Sequence, residues 1–235
     1  MSGLRVKDLS AWYGRAQILF QVDVDVSNSE VVVLLGRNGA GKTTTLKALM
    51  NMVPRVSGVR EFEGQALTDL KPSRIARMGL GYVPEERRIF KQLTVMENLY
   101  VGQQARREGA PYWTVDRLFE IFPNLGRMRN RLGGLMSGGE QQMLSLARTL
   151  MGNPRLVLLD EPSEGLAPVI VQQMAAALKA MKGEGLAILL SEQNLSFAQA
   201  VADRAYVIEK GHLRFQGSFD SLMADTNVRA TYLSV

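Results

Sequence analysis

Polar and apolar residues alternate at the start of the chain. Leu4, Val6 and Leu9 sit among polar neighbours, and Val22, Val24 and Val26 alternate with Gln21, Asp23 and Asp25. A period of two marks strands with one buried face. Two such segments, joined by a loop containing Tyr13-Gly14, predict an antiparallel layer. The pattern then changes. Val31–Leu35 is apolar at every position, as expected of a strand covered on both faces. It runs into a Gly-rich loop over 36–41. Leu46, Leu49, Met50 and Val53 follow at helical spacing, with Pro54 as the stop.

All-apolar runs recur at 156–159 and 187–190. Between them a helix is predicted to start at Pro168, carry Val171, Met174, Leu178 and Met181 on its apolar face, and stop near Gly183. Buried strands alternating with amphipathic helices predict a parallel α/β core. Segments 205–209 and 212–216 flank Lys210-Gly211 and read as a hairpin. The stretch from about 93 to 150 lacks buried-strand runs. It offers helical faces instead, one of Val115, Leu118, Phe119 and Phe122, another of Met143, Leu146, Ala147 and Leu150. The chain therefore reads as one domain over 1–235. Residues of about 1–90 and 151–235 form the core and antiparallel layer, and about 91–150 form a helical subdomain.

Composition narrows the chemistry. The 235 residues hold 46% hydrophobic and 22% charged side chains, the balance of a globular protein with a sizeable core. A net charge of +5 suits an anionic ligand, a membrane surface or nucleic acid, and equally a solvated basic surface. There is no cysteine, which excludes disulfides, thiol catalysis and thiolate metal sites. His212 is the sole histidine, so one chain cannot build a multi-histidine metal site. It falls in the predicted terminal hairpin, where a surface role fits better than catalysis. Residues 1–7 lack the apolar core of a secretory leader. No apolar run approaches the roughly 20 residues of a membrane span. Met50, Met143 and Met174 sit on apolar faces and read as core filling.

Gly36-Arg37-Asn38-Gly39-Ala40-Gly41-Lys42-Thr43 fits G-x-x-x-x-G-K-[ST], between a buried strand and a helix, as that pattern requires. Glycines let successive N–H groups turn inward as an anion nest, and the helix N-terminus adds partial positive charge. In such loops the lysine, here Lys42, reaches the β- and γ-phosphates, and the hydroxyl of Thr43 can ligate Mg²⁺. The later run 156–159 ends in Asp160-Glu161. Ligand sites of open α/β sheets lie at the carboxyl ends of strands. Beside a phosphate loop, Asp160 reads as a Mg²⁺ ligand and Glu161 as the group that polarises attacking water. Alone, the two would equally suit a solvated acidic turn.

Leu135-Met136-Ser137-Gly138-Gly139-Glu140-Gln141-Gln142 precedes an amphipathic helix. It resembles the LSGGQ signature of ABC ATPases, with Met136 and Glu140 as variants. Phosphate loop, signature and Asp160-Glu161 occur in the family's order, and the resemblance spans essentially the whole chain. It implies an α/β P-loop NTPase (RecA-like) core with an N-terminal antiparallel β layer and an inserted helical subdomain bearing the signature. It also implies an ATPase using ATP and Mg²⁺, with two subunits packed head to tail. Gly36, Asn38, Gly39, Ala40, Gly41, Lys42, Thr43 and Thr44 would hold one nucleotide's phosphates, and Ser137, Gly138 and Gly139 would meet the nucleotide of the partner subunit. Ser137 also suits a helix N-cap. Tyr13 matches the aromatic that stacks on adenine, with adjacent Trp12 as the competitor.

Finer segments, among them Val83-Pro84-Glu85-Glu86-Arg87-Arg88-Ile89-Phe90, Asp160-Glu161-Pro162-Ser163-Glu164-Gly165-Leu166-Ala167-Pro168 and Glu192-Gln193-Asn194, resemble the shorter ATPase subunit of branched-chain amino-acid importers. Subunits of urea and amide importers are similar. Three positions depart from the wider family: Glu85 stands where most members have a glutamine that senses Mg²⁺ and γ-phosphate, Gln193 where they have a switch histidine, and Ala167 where they have an aspartate. Gln193 can hydrogen-bond a phosphate but cannot carry positive charge, and Glu85 can ligate Mg²⁺. The resemblance implies two membrane permease subunits, a sister ATPase subunit (hetero- or homodimer) and, indirectly, an extracytoplasmic solute-binding protein. It implies a place on the inner face of the cell membrane and no nucleic-acid partner. Arg87 and Arg88 would lie where the permease docks, while Arg127, Arg129 and Arg131 read as a solvated basic loop. A non-hydrolysing regulatory cassette is the contrasting reading.

Overall fold

The computed structural model describes residues 2–233. Ten strands form two sheets. β1 (Ser2–Tyr13), β2 (Ala16–Ser27), β4 (Arg55–Phe62) and β5 (Gln65–Ala66) make an antiparallel sheet in the order β2-β1-β4-β5. β3 (Val31–Leu35), β6 (Leu80–Val83), β7 (Leu156–Asp160), β8 (Ala187–Glu192), β9 (Arg204–Glu209) and β10 (His212–Ser218) make the second, in the order β10-β9-β3-β8-β7-β6. Its strands pair in parallel except for the terminal β9–β10 hairpin. β3 is therefore central, held by β8 and β9.

The all-apolar strands have a direct cause. Val32, Leu34, Leu156, Leu158, Leu189 and Ile208 face α1 (Lys42–Leu49) and the antiparallel sheet. Val31, Val33, Leu35, Val157, Leu159, Ile188 and Leu190 face the opposite core. Both faces are covered, so the interiors of β3, β7 and β8 are apolar and polar residues enter only at the carboxyl ends of β7 and β8. The second core is closed by α6 (Gly138–Leu150), α7 (Pro168–Gly183), α8 (Leu195–Val201) and α9 (Phe219–Ala224). Between β6 and β7 the chain is helical: α3 (Val95–Gly102), α4 (Val115–Ile121), α5 (Pro123–Arg127) and α6. Trp113, Leu118, Phe122 and Leu125 from that stretch join the same core as α6 and β7. Met50, Met143 and Met174 are buried as expected. No helix among the described residues is long and apolar enough to cross a membrane.

The predicted α7 limits are met: Pro168 opens the helix and Gly183 is its last residue. The hairpin turn also matches, with Lys210 and Gly211 both at positive φ, 47° and 78°. His212 stacks flat on Phe20 at 4.5 Å, an exposed packing role. The first helix is shorter than expected. Asn51 adopts φ 53°, and Met52 N–H and Asn51 N–H donate to the carbonyls of Lys47 and Ala48. This paired closure ends α1 at Leu49, so Val53 enters the core after the helix rather than within it. β4 and β6 were not expected. β4 is mostly exposed, and β6 is interrupted by Gly81 and the polar end of Tyr82.

Candidate functional site

The phosphate loop joins β3 to α1. Gly41 caps the helix at φ 112°, a conformation that suits glycine. Behind the loop, Gly211 N–H donates to Ala40 O at 2.8 Å, and Phe20 N–H donates to Gly211 O at 2.9 Å. A Cβ on Gly211 would lie 1.9 Å from Ile18 O. The terminal hairpin turn is thus wedged between the loop and β2. Lys42 is almost fully buried. Its Nζ donates to Gly36 O at 2.7 Å and Arg37 O at 3.2 Å, and pairs with Glu161 at 3.0 Å.

The carboxyl ends of β6, β7 and β8 converge on Asp160, which is 1% exposed. Parallel register sets Asp160 beside Ser191. Asp160 Oδ1 accepts from Thr43 Oγ1 at 2.9 Å and Ser191 Oγ at 2.7 Å, and Oδ2 accepts from Tyr82 OH at 3.1 Å. Burial, then the neighbouring Asp160, raises the Tyr82 phenol above its ordinary value. Glu161 follows with φ 45°, its N–H donating to Ser191 O at 3.0 Å. This turn swings the Glu161 carboxylate out of the strand toward Lys42.

Other carboxylates gather there. Glu164 is raised to about 7, first by a hydrogen bond shared with Glu161, then by burial and by the charges of Glu161 and Glu85. Glu85 is raised by burial and by Glu161, Asp160 and Glu86. Tyr13, Ile18, Gly39, Gly41, Lys42, Thr43, Thr44 and Glu161 line one cleft of about 250 Å³. Tyr13 is 41% exposed at its rim. Trp12 is engaged elsewhere, with the Arg55 guanidinium 4.5 Å over its ring. The wall of this cleft is aromatic at one end and cationic at the other, with hydroxyl and carboxylate oxygens between. That donor set suits a nucleotide with its polyphosphate, and hard oxygen ligands suit Mg²⁺.

Ser137, Gly138 and Gly139 stand apart from that cleft, at the N-terminus of α6. Ser137 caps the helix as the sequence allowed. Glu140, the signature variant, completes a capping box: Ser137 N–H donates to Glu140 Oε2 at 2.7 Å, and Glu140 N–H donates to Ser137 Oγ. Gly139 is buried against Ile170. Gln193 and Asn194 are exposed after β8. Arg127, Arg129 and Arg131 are exposed; Arg129 lies over Phe119 and donates to Gly126 O.

Sequence reasoning missed Tyr82, Ser191, Glu164 and Glu192. Two polar residues, Ser191-Glu192, ending an apolar strand next to the one that ends in Asp160-Glu161 were the available signal. Tyr82 and Glu164 gave none.

The ABC transporter family model matches residues 19–164. The chain is 42% identical to the high-affinity branched-chain amino acid transport ATP-binding protein BraG of Pseudomonas aeruginosa, over 96% of this chain and 97% of that one. It is 34% identical to the lipopolysaccharide export system ATP-binding protein LptB of Escherichia coli K12, over 99% and 98%. A solved ATP-binding subunit of an ABC transporter superposes with a TM-score of 0.82 at 28% identity, covering 98% of this chain and 95% of that one. Subunits of this kind bind nucleotide and act with membrane permease subunits. The chain belongs to the ABC transporter family, as one of its ATP-hydrolysing, ATP-binding subunits.

Proposed function

We propose that the chain energises uptake of branched-chain or other hydrophobic amino acids through an ABC importer. Identity of 42% to BraG along nearly the full length supports this over the 34% to LptB. The motor assignment rests above all on one observation: Lys42, Thr43, Asp160 and Glu161 meet at one strand-end cleft.

That geometry, with the family resemblance, supports the following roles. Tyr13 stacks the base, and the loop from Gly36 to Thr44 receives the phosphates. Lys42 neutralises their charge once it leaves Glu161 and the Gly36 and Arg37 carbonyls. Thr43, Asp160 and Glu85 would supply oxygen ligands for Mg²⁺, which would offset phosphate charge when bound. Glu161, freed from Lys42, accepts a proton from the attacking water. Gln193 donates to the γ-phosphate. Ser137, Gly138 and Gly139 lie outside the cleft of their own chain, which supports the reading carried by the family resemblance that they meet the nucleotide of a sister subunit. A groove of about 410 Å³ lined by Arg77, Arg88, Phe90, Val101 and Arg148 receives the permease at the inner membrane face. The solute-binding protein acts through that permease.

Mg²⁺-dependent ATP turnover of the chain, against Glu161→Gln and Lys42→Ala, tests the site. Turnover should fall on the order of 10²-fold or more in Glu161→Gln with ATP binding kept. Undiminished turnover in that variant would remove Glu161 from its role. Cells lacking the chain should lose high-affinity leucine, isoleucine and valine uptake. Intact uptake together with a lipopolysaccharide-export defect would overturn the importer reading.

A further inference from the structure

One buried carboxylate has no part in the roles above. Glu192 ends β8 at 2% exposure. Its Oε1 accepts from Ser163 N–H at 3.0 Å, and its Oε2 accepts from Gln193 N–H and Asn194 N–H, both at 3.1 Å. Its backbone carbonyl accepts from Gly36 N–H at 3.3 Å, the first glycine of the phosphate loop. The donors come from separate segments. Ser163 lies two residues past Glu161, and Gln193 is the γ-phosphate donor assigned above. Burial raises the Glu192 carboxyl above its ordinary value, and these hydrogen bonds offset only part of that rise.

The chemistry at this position is demanding. Both ends of the side chain accept here, as the two oxygens of a carboxyl group can; a glutamine amide offers one acceptor and one donor. An apolar residue would take the acceptor from three N–H groups, that of buried Ser163 among them. A charge buried in this way costs more than a neutral cap would, so stability alone does not call for it.

We propose that Glu192 is a positioning residue: its single carboxylate locks Gln193 and the segment after Glu161 into one unit, fixing γ-phosphate donor and base relative to each other. The proposal rests on the roles given above to Glu161 and Gln193.

Its test is a mutant cycle at saturating Mg²⁺-ATP with Gln193→Ala, Glu192→Ala, their combination, and Glu192→Gln. Glu192→Ala should lower kcat at least about tenfold and move KM less than about threefold. Gln193→Ala, costly in wild type, should cost less than about twofold once Glu192 is alanine. In Glu192→Gln the amide oxygen still serves the Gln193–Asn194 pair, so the Gln193→Ala cost should persist. A full Gln193→Ala cost in the Glu192→Ala background overturns the proposal, as does a lowered melting temperature with kcat intact. If Gln193→Ala costs nothing in wild type, the Gln193 assignment itself falls and takes the proposal with it. Should Glu192→Ala fail to fold, amide exchange in Glu192→Gln decides. Ser163 should exchange at least about tenfold faster while Gln193 and Asn194 keep their protection. Unchanged protection at Ser163 overturns the proposal.

Discussion

Replacing Ser191 by alanine takes one hydroxyl from Asp160 and leaves the rest of the fold in place. Asp160 is 1% exposed, and three hydroxyls, those of Thr43, Ser191 and Tyr82, hold its two oxygens. Ser191 makes the shortest of these bonds, 2.7 Å. Water cannot replace the lost donor at so buried a carboxylate without entering the sheet edge. A hydrogen bond to a charged group contributes about 1.5–3 kcal/mol. Glu161 N–H also touches Ser191 Oγ, but it keeps Ser191 O as partner at 3.0 Å, so no second group is stranded. For a chain of this length, 1 kcal/mol moves Tm by about 2–4 °C. The expected fall is therefore about 3–12 °C for Ser191→Ala, read by scanning calorimetry without nucleotide. Tyr82→Phe should fall within the same range, and the double variant should lose less than the sum, because both serve one carboxylate. A Ser191→Ala protein melting within about 1 °C of wild type would refute the account of how Asp160 is held.

Gly36→Ala should destabilise by about 3 kcal/mol or more in urea titration, because its Cβ would lie 2.4 Å from the Ile208 carbonyl oxygen; a midpoint near wild type would mean that β9 yields easily. Tyr13→Ala should weaken nucleotide binding by about 1–3 kcal/mol of stacking, measured by calorimetric titration, while Trp12→Ala leaves affinity unchanged; the reverse order would exchange their roles. Glu164, raised from 4.5 to about 7 in the folded chain, binds its proton more tightly there than when unfolded. Its contribution is thus present below pH 4.5 and lost as pH rises through 7. Urea midpoints of Glu164→Gln should lack this falling component between pH 5 and 8, and identical pH profiles would exclude it.

The strand stretches at 31–35, 156–159 and 187–190 were legible because burial on both faces leaves only apolar residues there. β6 was not, and the reason is specific. A Cβ on Gly81 would lie 2.8 Å from Thr149 of α6, and Tyr82 must reach Asp160, so packing and chemistry both break its apolar run. β4 was hidden by Arg60, a buried arginine that donates to Ala48 O at 2.8 Å and to Asn51, next to the closure of α1. The phosphate loop and Asp160-Glu161 could be read in order along the chain. Ser191 and Glu192 were marked only as polar residues ending an apolar strand; their partners were hidden, fixed by which strand lies beside which and by a parallel register no local pattern encodes.

The hairpin turn wedged behind the phosphate loop has a consequence for synthesis. Gly211 leaves the ribosome about 170 residues after Gly41, and both neighbours of β3 come from the last quarter of the chain. Growing chains therefore carry a complete phosphate-loop sequence that has neither its flanking strands nor its backing. Nucleotide cannot serve as an early template for folding; it can stabilise only a chain that already extends to the hairpin turn at Gly211. Contacts so distant in sequence also make late, slow closure of the central sheet the expected step. A nascent chain stalled before β9 should leave ATP unbound and offer the exposed edge of β3 to chaperones, so quality control of this subunit falls on the segment from β8 to the hairpin turn at Gly211.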